Sequence, residues 1–130
     1  SSAASDVYKR QINVGAIGNL NELETLCDLS VRALDEIIEL QDYPVKAAEV
    51  STKSRRSLGI GYIGLAHYLA KNGVKYSDPK AWELVDRLSE AFQYYLLRAS
   101  CDIAEEKGKC SAFDRTKYAD GLLPIDHYKK

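Results

Sequence analysis

The chain has 130 residues, 45% of them hydrophobic, which is enough to bury one modest core but too little for two ordinary domains. Eighteen basic and nineteen acidic side chains give a net charge of −1, so the composition does not indicate a nucleic-acid or anionic-membrane surface. We find no apolar run of the roughly 18 residues that a membrane span requires, and expect no signal peptide.

The first eleven residues, SSAASDVYKRQ, differ in character from the rest of the chain. They show neither an apolar period nor turn residues, and they resemble translated adapter or vector sequence. We therefore interpret residues 1–11 as a non-native leader and expect the native domain to cover residues 12–130.

The next segment predicts a strand end, a turn and a first helix. Residues 12–18, INVGAIG, alternate briefly, and Asn21 with Glu24 forms a plausible capping pair. Pro44 disfavours helix at Tyr43, so we expect the helix to end near Gln41. A 3.6-residue period predicts a buried stripe of Leu23, Leu26, Cys27, Ala33, Leu34, Ile37 and Ile38, with Asp28, Arg32, Asp35 and Glu39 facing outward.

Residues 44–57 form a connector, with a short helical turn expected at 45–50. Its basic cluster of Lys53, Arg55 and Arg56 has the charge to hold a phosphate. A charged linker between helices is more often a solvated surface, and we favour that interpretation.

Residues 58–73, LGIGYIGLAHYLAKNG, predict a helix that is apolar on most sides and therefore buried at the centre of the fold. Gly59, Gly61 and Gly64 also spell G-x-G-x-x-G, the dinucleotide-binding pattern. That motif requires a preceding buried strand, whereas residues 51–57 are polar and basic. We favour close packing over nucleotide binding, interpret His67 as a hydrogen-bonded structural histidine, and expect Gly73 to end the helix.

A long second amphipathic helix is predicted from Asp78-Pro79 to Gly108. Proline suits the first helical position, and about 29 residues would span roughly 43 Å. Packing explains the adjacent Tyr94 and Tyr95, with Tyr95 toward the core and Tyr94 at its edge. The predicted buried stripe is Trp82, Val85, Leu88, Phe92, Tyr95, Leu96, Ala99 and Ile103.

The tail predicts a helical turn at 114–119, a stop at Gly121 and an extended run at 122–126. The three cysteines are odd in number and lack C-x-x-C spacing, which favours reduced thiols in a cytoplasmic protein. We interpret Cys27 as a small core residue and Cys110 as the most exposed thiol, and find no base or partner beside Cys110 in the sequence. The residues alone thus predict a mainly α chain.

Several blocks of sequence, in the same order, resemble the large catalytic subunit of class I ribonucleotide reductase. The similarity runs from about Asn13 to the last residue without large gaps, and it implies a helical segment of that family's ten-stranded α/β barrel. The matching blocks are QDYP at 41–44, RRSLGIG at 55–61, YLAKNG at 68–73, YSD at 76–78, EAFQYYLLRAS at 90–100, AEEKG at 104–108 and LLPIDHYKK at 122–130.

The resemblance implies an enzyme that reduces ribonucleoside diphosphates to deoxyribonucleotides for DNA synthesis. It implies a radical supplied by a small subunit, a dithiol reductant such as thioredoxin or glutaredoxin, and ATP or dNTP effectors. The family's catalytic cysteines, phosphate loop and tyrosine relay lie outside the matched segment, so we assign no catalytic, cofactor or metal residue here. We expect an internal fragment that is inactive alone and provides helical scaffold; the alternative is a stand-alone helical interaction module.

Overall fold

The computed structural model describes residues 8–128, which form a small parallel sheet covered by helices. In chain order the elements are β1 (Tyr8–Asn13), α1 (Glu22–Leu40), α2 (Lys46–Arg55), β2 (Leu58–Ile63), α3 (Leu65–Lys71) and α4 (Pro79–Lys107). Three 3-10 turns follow, at Phe113–Arg115, Lys117–Asp120 and Pro124–Tyr128. The prediction of a mainly α chain is confirmed.

The two strands pair in parallel, with Tyr8 opposite Leu58 and Asn13 opposite Ile63. The connection between them consists of α1 and α2, because parallel neighbours require a long crossover. The predicted strand end and turn within residues 12–18 are confirmed, since β1 ends at Asn13. Four residues of the segment that we interpreted as a leader, 8–11, belong to β1; residues 1–7 lie outside the described part of the chain.

The prediction of one buried helix over residues 58–73 is wrong. Residues 58–63 are β2, and the chain turns at Gly64 into the seven-residue α3. Leu58, Ile60 and Tyr62 pack on the core, whereas alternate positions face away from it. The sequence was ambiguous because glycines between apolar residues fit both a helical wheel and the two-residue period of a strand. Gly73 does end α3, with a left-handed φ of 68°.

Helix α1 has the predicted bounds but a different cap. The Asn21 side chain makes no capping hydrogen bond; instead Asn19 Oδ1 accepts from the Asn21 N–H (2.9 Å), and Glu22 Oε1 accepts from the Gly18 N–H (3.1 Å). The pair that closes this end therefore lies two residues earlier than predicted. Leu23, Cys27, Val31, Leu34 and Ile38 are buried, whereas Ile37 is exposed, contrary to prediction.

Helix α4 begins at Pro79 and ends at Lys107, as predicted. It packs along α1, and its Leu88 and Phe92 join Ile12, Val14, Leu23 and Cys27 in the main core. Tyr62 and Phe92 meet edge to face at 5.4 Å. Trp82 is 78% exposed, so its predicted place in the buried stripe is wrong; the neighbouring Ala81 is the buried residue.

The connector and the tail depart from prediction in their extent. Helix α2 covers ten residues, where we expected only a turn at 45–50. The predicted helical turn at 114–119 is divided into two 3-10 turns, and Gly121 follows the second one. Residues 124–128 form a third turn, so the prediction of an extended run through 126 is wrong. Among the described helices, none combines the length and apolar character needed to cross a membrane.

Candidate functional site

The carboxyl edge of the two strands is the candidate site, because loops at this edge carry the ligand and catalytic groups in most parallel α/β proteins. Strand β1 ends at Asn13 and β2 ends opposite it at Ile63. The Val14 N–H donates to the Ile63 carbonyl (2.9 Å), which holds the two strand ends together.

Gly64 makes the closest backbone approach at this edge. Its φ of 79° is left-handed, and an added Cβ would lie 2.3 Å from Asn13 Oδ1 and 3.0 Å from the Gly15 nitrogen. The same Asn13 Oδ1 accepts a hydrogen bond from the Gly15 N–H (3.1 Å). The turns after β1 and β2 therefore interlock, and only glycine fits at position 64 without displacing Asn13.

Helix α3 places His67 and Lys71 over the turn that follows β1. Lys71 Nζ donates to the Ile17 carbonyl (2.8 Å) and to the Gly15 carbonyl (3.3 Å). His67 is exposed and lies so close to Gly15 that a Cβ on the glycine would meet the His67 Cβ at 2.9 Å. Within residues 8–128 its ring has no hydrogen-bond partner, so the prediction of a hydrogen-bonded histidine is wrong.

The three glycines of the dinucleotide-like pattern do not form a phosphate loop. In that motif the glycines follow a strand and open a helix, whereas Gly59 and Gly61 lie within β2, opposite Lys9 and Gln11. Only Gly64 lies at the strand-to-helix turn. The described residues contain no group of three His, Cys, Asp or Glu side chains placed to hold a metal ion.

The cysteines are separate and unpaired by disulfides. Cys27 is fully buried in the main core, as predicted, and burial raises its pKa to about 11, so the nucleophilic thiolate is scarce near neutral pH. Cys101 on α4 is exposed and Cys110 is half-buried. The prediction that Cys110 is the most exposed thiol is therefore wrong.

The two adjacent tyrosines take the predicted positions on α4. Tyr95 packs against the main core, and Tyr94 is exposed. Their rings meet edge to face at 5.4 Å. Core packing thus accounts for Tyr95, and the ring contact with Tyr95 is the contact that Tyr94 makes.

At the opposite, amino edge of the sheet, Asp35 is the centre of an ion-pair network that the sequence did not reveal. We expected Asp35 to face outward, but it is only 6% exposed. Arg56 lies two residues before β2, and its Nη2 is 2.6 Å from Asp35 Oδ1. Lys107, the last residue of α4, places its Nζ 3.3 Å from Asp35 Oδ2. One carboxylate thus joins α1 to the start of β2 and to the end of α4.

Two members of the predicted basic cluster, Lys53 and Arg56, belong to this network instead of forming an open anion site. The third, Arg55, is exposed and donates to Ser51 Oγ (2.7 Å). Arg56 also pairs with Glu39, and Lys53 pairs with Glu39 (3.5 Å) and Glu49 (3.3 Å). Burial opposes the charge on Arg56, but hydrogen bonds to Glu39 and Asp35 outweigh it and raise its pKa. The sequence contained one indication that Asp35 is buried. It lies between Leu34 and Ile38, which are on the buried side of α1.

Two open depressions on the described surface border helix α4. An open, mostly apolar one of about 480 Å³ lies between α3 and α4, lined by Leu65, Tyr76, Trp82 and Val85 among others. A smaller one of about 270 Å³ lies between α1 and α4, with Glu24, Asp28, Arg98 and Asp102 around it. Neither brings a nucleophile and a general base together in the way that covalent or acid–base catalysis requires.

Comparison with known proteins gives one consistent family. Residues 10–130 match the family model described as the ribonucleotide reductase barrel domain. The chain is 59% identical over 118 residues to the ribonucleoside-diphosphate reductase subunit alpha of Haemophilus influenzae and 58% identical over 119 residues to that of Buchnera aphidicola from Schizaphis graminum. It is 41% identical over 110 residues to the subunit alpha of Enterobacteria phage T4.

The matches cover most of this chain but a small part of each relative. The match covers 91% of this chain and 16% of the Haemophilus influenzae protein, and 92% of this chain and 16% of the Buchnera aphidicola protein. For the phage T4 protein the shares are 85% and 14%. The chain thus spans about a sixth of the length of the curated relatives it matches.

Proposed function

Because the chain belongs to the ribonucleotide reductase barrel-domain family, we propose that it is a segment of a ribonucleoside-diphosphate reductase subunit alpha. The reaction of the parent enzyme is the reduction of ribonucleoside diphosphates to deoxyribonucleotides. The observation that carries the proposal is the identity of 58–59% to two bacterial subunits over nearly the whole chain.

We propose a scaffolding part for this segment in the parent barrel. A two-stranded parallel sheet is seldom stable alone, and within residues 8–128 the outer edges of β1 and β2 have no partner strand. Neighbouring strands of a ten-stranded barrel would pair with both edges. Helices α1 and α4, which cover one face of the sheet, would then lie outside the barrel and position the loops at its carboxyl edge.

The reacting groups would come from other parts of the parent enzyme. The described residues offer one inert core thiol, Cys27, and two separated thiols, whereas reductive chemistry requires two thiols that can meet. We propose that the radical arrives from a separate small subunit, that thioredoxin or glutaredoxin restores the thiols, and that ATP and dNTPs act as effectors elsewhere on the polypeptide. A cytoplasmic location agrees with the free cysteines.

We retain the proposal that residues 1–11 are a non-native leader. The family match begins at residue 10, so it supports the leader only for residues 1–9. Residues 8–11 pair with β2 through backbone groups, which many different side chains would allow. The native domain would then cover residues 12–130.

A chimera tests the scaffolding proposal. Residues 12–130 would replace the aligned segment of the Haemophilus influenzae subunit alpha, and conversion of CDP to dCDP would be measured with its small subunit and a dithiol reductant. We expect a folded chimera with activity within about tenfold of the parent, since aligned scaffold at this identity preserves packing. The separate 130-residue chain should be inactive. Turnover by the separate chain, or a folded chimera without activity, would contradict the proposal.

The same preparations distinguish the alternative of a stand-alone helical interaction module. A barrel segment should bind a hydrophobic dye when separate, because its barrel-facing surface is uncovered. A module should be monodisperse, bind little dye and unfold cooperatively. Titration of the separate chain with ATP or NAD at millimolar concentration tests the remaining nucleotide-binding interpretation of Gly59, Gly61 and Gly64, and we expect no heat of binding.

A further inference from the structure

Helix α1 carries a second apolar stripe that nothing in the described chain covers. Leu29, Ile37 and Leu40 are 57%, 43% and 80% exposed, and the half-buried Ala33 lies between them. Their spacings of four, four and three residues place all four on one side of the helix. We call Leu29, Ala33, Ile37 and Leu40 the outer stripe.

The outer stripe is distinct from the two sides of α1 that already have partners. One side faces the core through Leu23, Cys27 and Val31. Another faces α4, where Glu24 pairs with Arg98 (3.0 Å) and Arg32 with Glu106 (2.7 Å). At 100° per residue, the centre of the outer stripe lies roughly 130° round the helix from the residues that pair with α4. From Leu29 to Leu40 this third side is therefore mostly apolar and largely exposed.

We propose that the outer stripe binds an amphipathic helix of the same polypeptide, from a part of the parent subunit outside these 130 residues. This inference rests on the proposed function. Some 84% of the length of the relatives lies outside the matched segment, since the segment is 16% of each. In a barrel the helices form a layer around the strands, so α1 would have a neighbour on each flank, and α4 occupies only one.

The chemistry of the stripe favours a helix of the same chain over a second copy of it. Four side chains on one helix bury far less than the ~1,200 Å² that a stable interface between separate molecules needs. Within one polypeptide the high effective concentration of the partner makes a small contact sufficient. The stripe offers apolar side chains at helical spacing, which suit ridge-into-groove packing by another helix.

Thiol labelling in the full-length chimera tests this proposal. Leu29→Cys and Ile37→Cys would be made separately, and the rate of maleimide labelling of each peptide would be compared with that of Glu90→Cys, an exposed position on α4. The native exposed Cys101 would first be replaced by serine. We expect both stripe positions to label at least about tenfold more slowly than Glu90→Cys, because a covering helix excludes the reagent.

A photo-crosslinker attached at Ile37→Cys then identifies the covering segment by mass spectrometry. A crosslinked peptide from outside the grafted segment of the same polypeptide supports the proposal. A crosslink between two subunits, or labelling of both stripe positions as fast as Glu90→Cys, overturns it. Reductase activity of the chimera is measured in parallel: an active chimera with a freely labelled stripe refutes only this inference, whereas a folded but inactive chimera refutes the proposed function.

Discussion

The two edges of the sheet are held by different forces. At the carboxyl edge, Gly64 and Asn13 bring two backbone turns into contact with no room for a methyl group. At the amino edge, Asp35 gathers Arg56 and Lys107 into ion pairs whose outer members reach solvent. The first edge depends on shape and the second on charge, so substitution should affect the carboxyl edge most, and salt or acid should affect the amino edge most.

The largest expected effect is that of Gly64→Ala. The new Cβ must adopt a left-handed backbone and displace Asn13, whose side chain then no longer accepts from the Gly15 N–H. We expect a loss of about 2–3 kcal/mol in the free energy of unfolding, measured with urea on the folded chimera. Gly61→Ala is the matched control, because its φ is not left-handed and no atom lies within 4 Å of the added Cβ.

Gly61→Ala should change stability by no more than about 0.5 kcal/mol. A double-mutant cycle with Asn13→Ala separates strain from collision: removing the Asn13 side chain should recover part of the loss at Gly64. Equal effects of alanine at positions 61 and 64 would show that shape does not hold the carboxyl edge.

The next largest effect is expected for Asp35→Asn, which keeps the shape and removes the charge. Arg56 and Lys107 would lose their shared carboxylate; their side chains are 22% and 44% exposed, so water compensates in part. We expect a loss of about 2 kcal/mol, below the 3–5 kcal/mol of a fully buried pair, and a smaller loss in high salt. Urea unfolding at two salt concentrations measures both quantities.

Glu106→Gln is the control for Asp35→Asn, because Glu106 and its partner Arg32 are far more exposed than Asp35 and their pair should contribute less. If the two substitutions cost the same, the burial of Asp35 would have no energetic importance.

The smallest effect concerns acid. A hydrogen bond from Arg56 lowers the pKa of Glu39 in the folded chain. A lowered folded pKa means that this carboxylate stabilises the fold above its unfolded pKa, and that the contribution is lost as the pH falls through the folded value. We expect Glu39→Gln to reduce the slope of unfolding free energy against pH below about pH 4.3, the ordinary glutamate pKa.

Gly64→Ala at the carboxyl edge is the control for the pH dependence of Glu39→Gln. Asn13, Gly15 and Gly64 do not titrate, so the cost of Gly64→Ala should be the same at pH 7 as in this acid range. An unchanged pH slope in Glu39→Gln would place the acid sensitivity elsewhere in the chain.

The parts of the fold that could be predicted from sequence are the helix ends, which are determined by residues at or next to them. Asp78-Pro79, Gly108 and Pro44 fixed the start of α4, its end and the end of α1, because proline and glycine act on the backbone where they stand. The secondary structure of residues 58–73 could not be predicted. Glycine alternates there with Leu58, Ile60 and Tyr62, and this pattern forms a strand only because β1 pairs beside it.

In the candidate site, too, local features could be predicted and long-range contacts could not. The burial of Cys27 followed from its place in an apolar period, whereas the network around Asp35 joins residues 21 and 72 positions apart, and no local pattern reports such a contact. Trp82 was predicted to be buried because it shares a stripe with Leu88 and Phe92. The structure instead leaves Trp82 exposed and buries Ala81, because the periodicity does not reveal which residue of the first turn faces the core.

The pairing of residues 8–11 in β1 has a practical consequence. Lys9, Arg10 and Gln11 are exposed, and the buried anchors of this strand and the turn after it are Ile12 and Val14. Those two aliphatic anchors hold the register, because sliding by one residue would turn Ile12 to the solvent. The first half of the strand is therefore a permissive attachment point, where a fluorophore, an affinity handle or a fusion joint can be introduced while the helices behind it keep their packing.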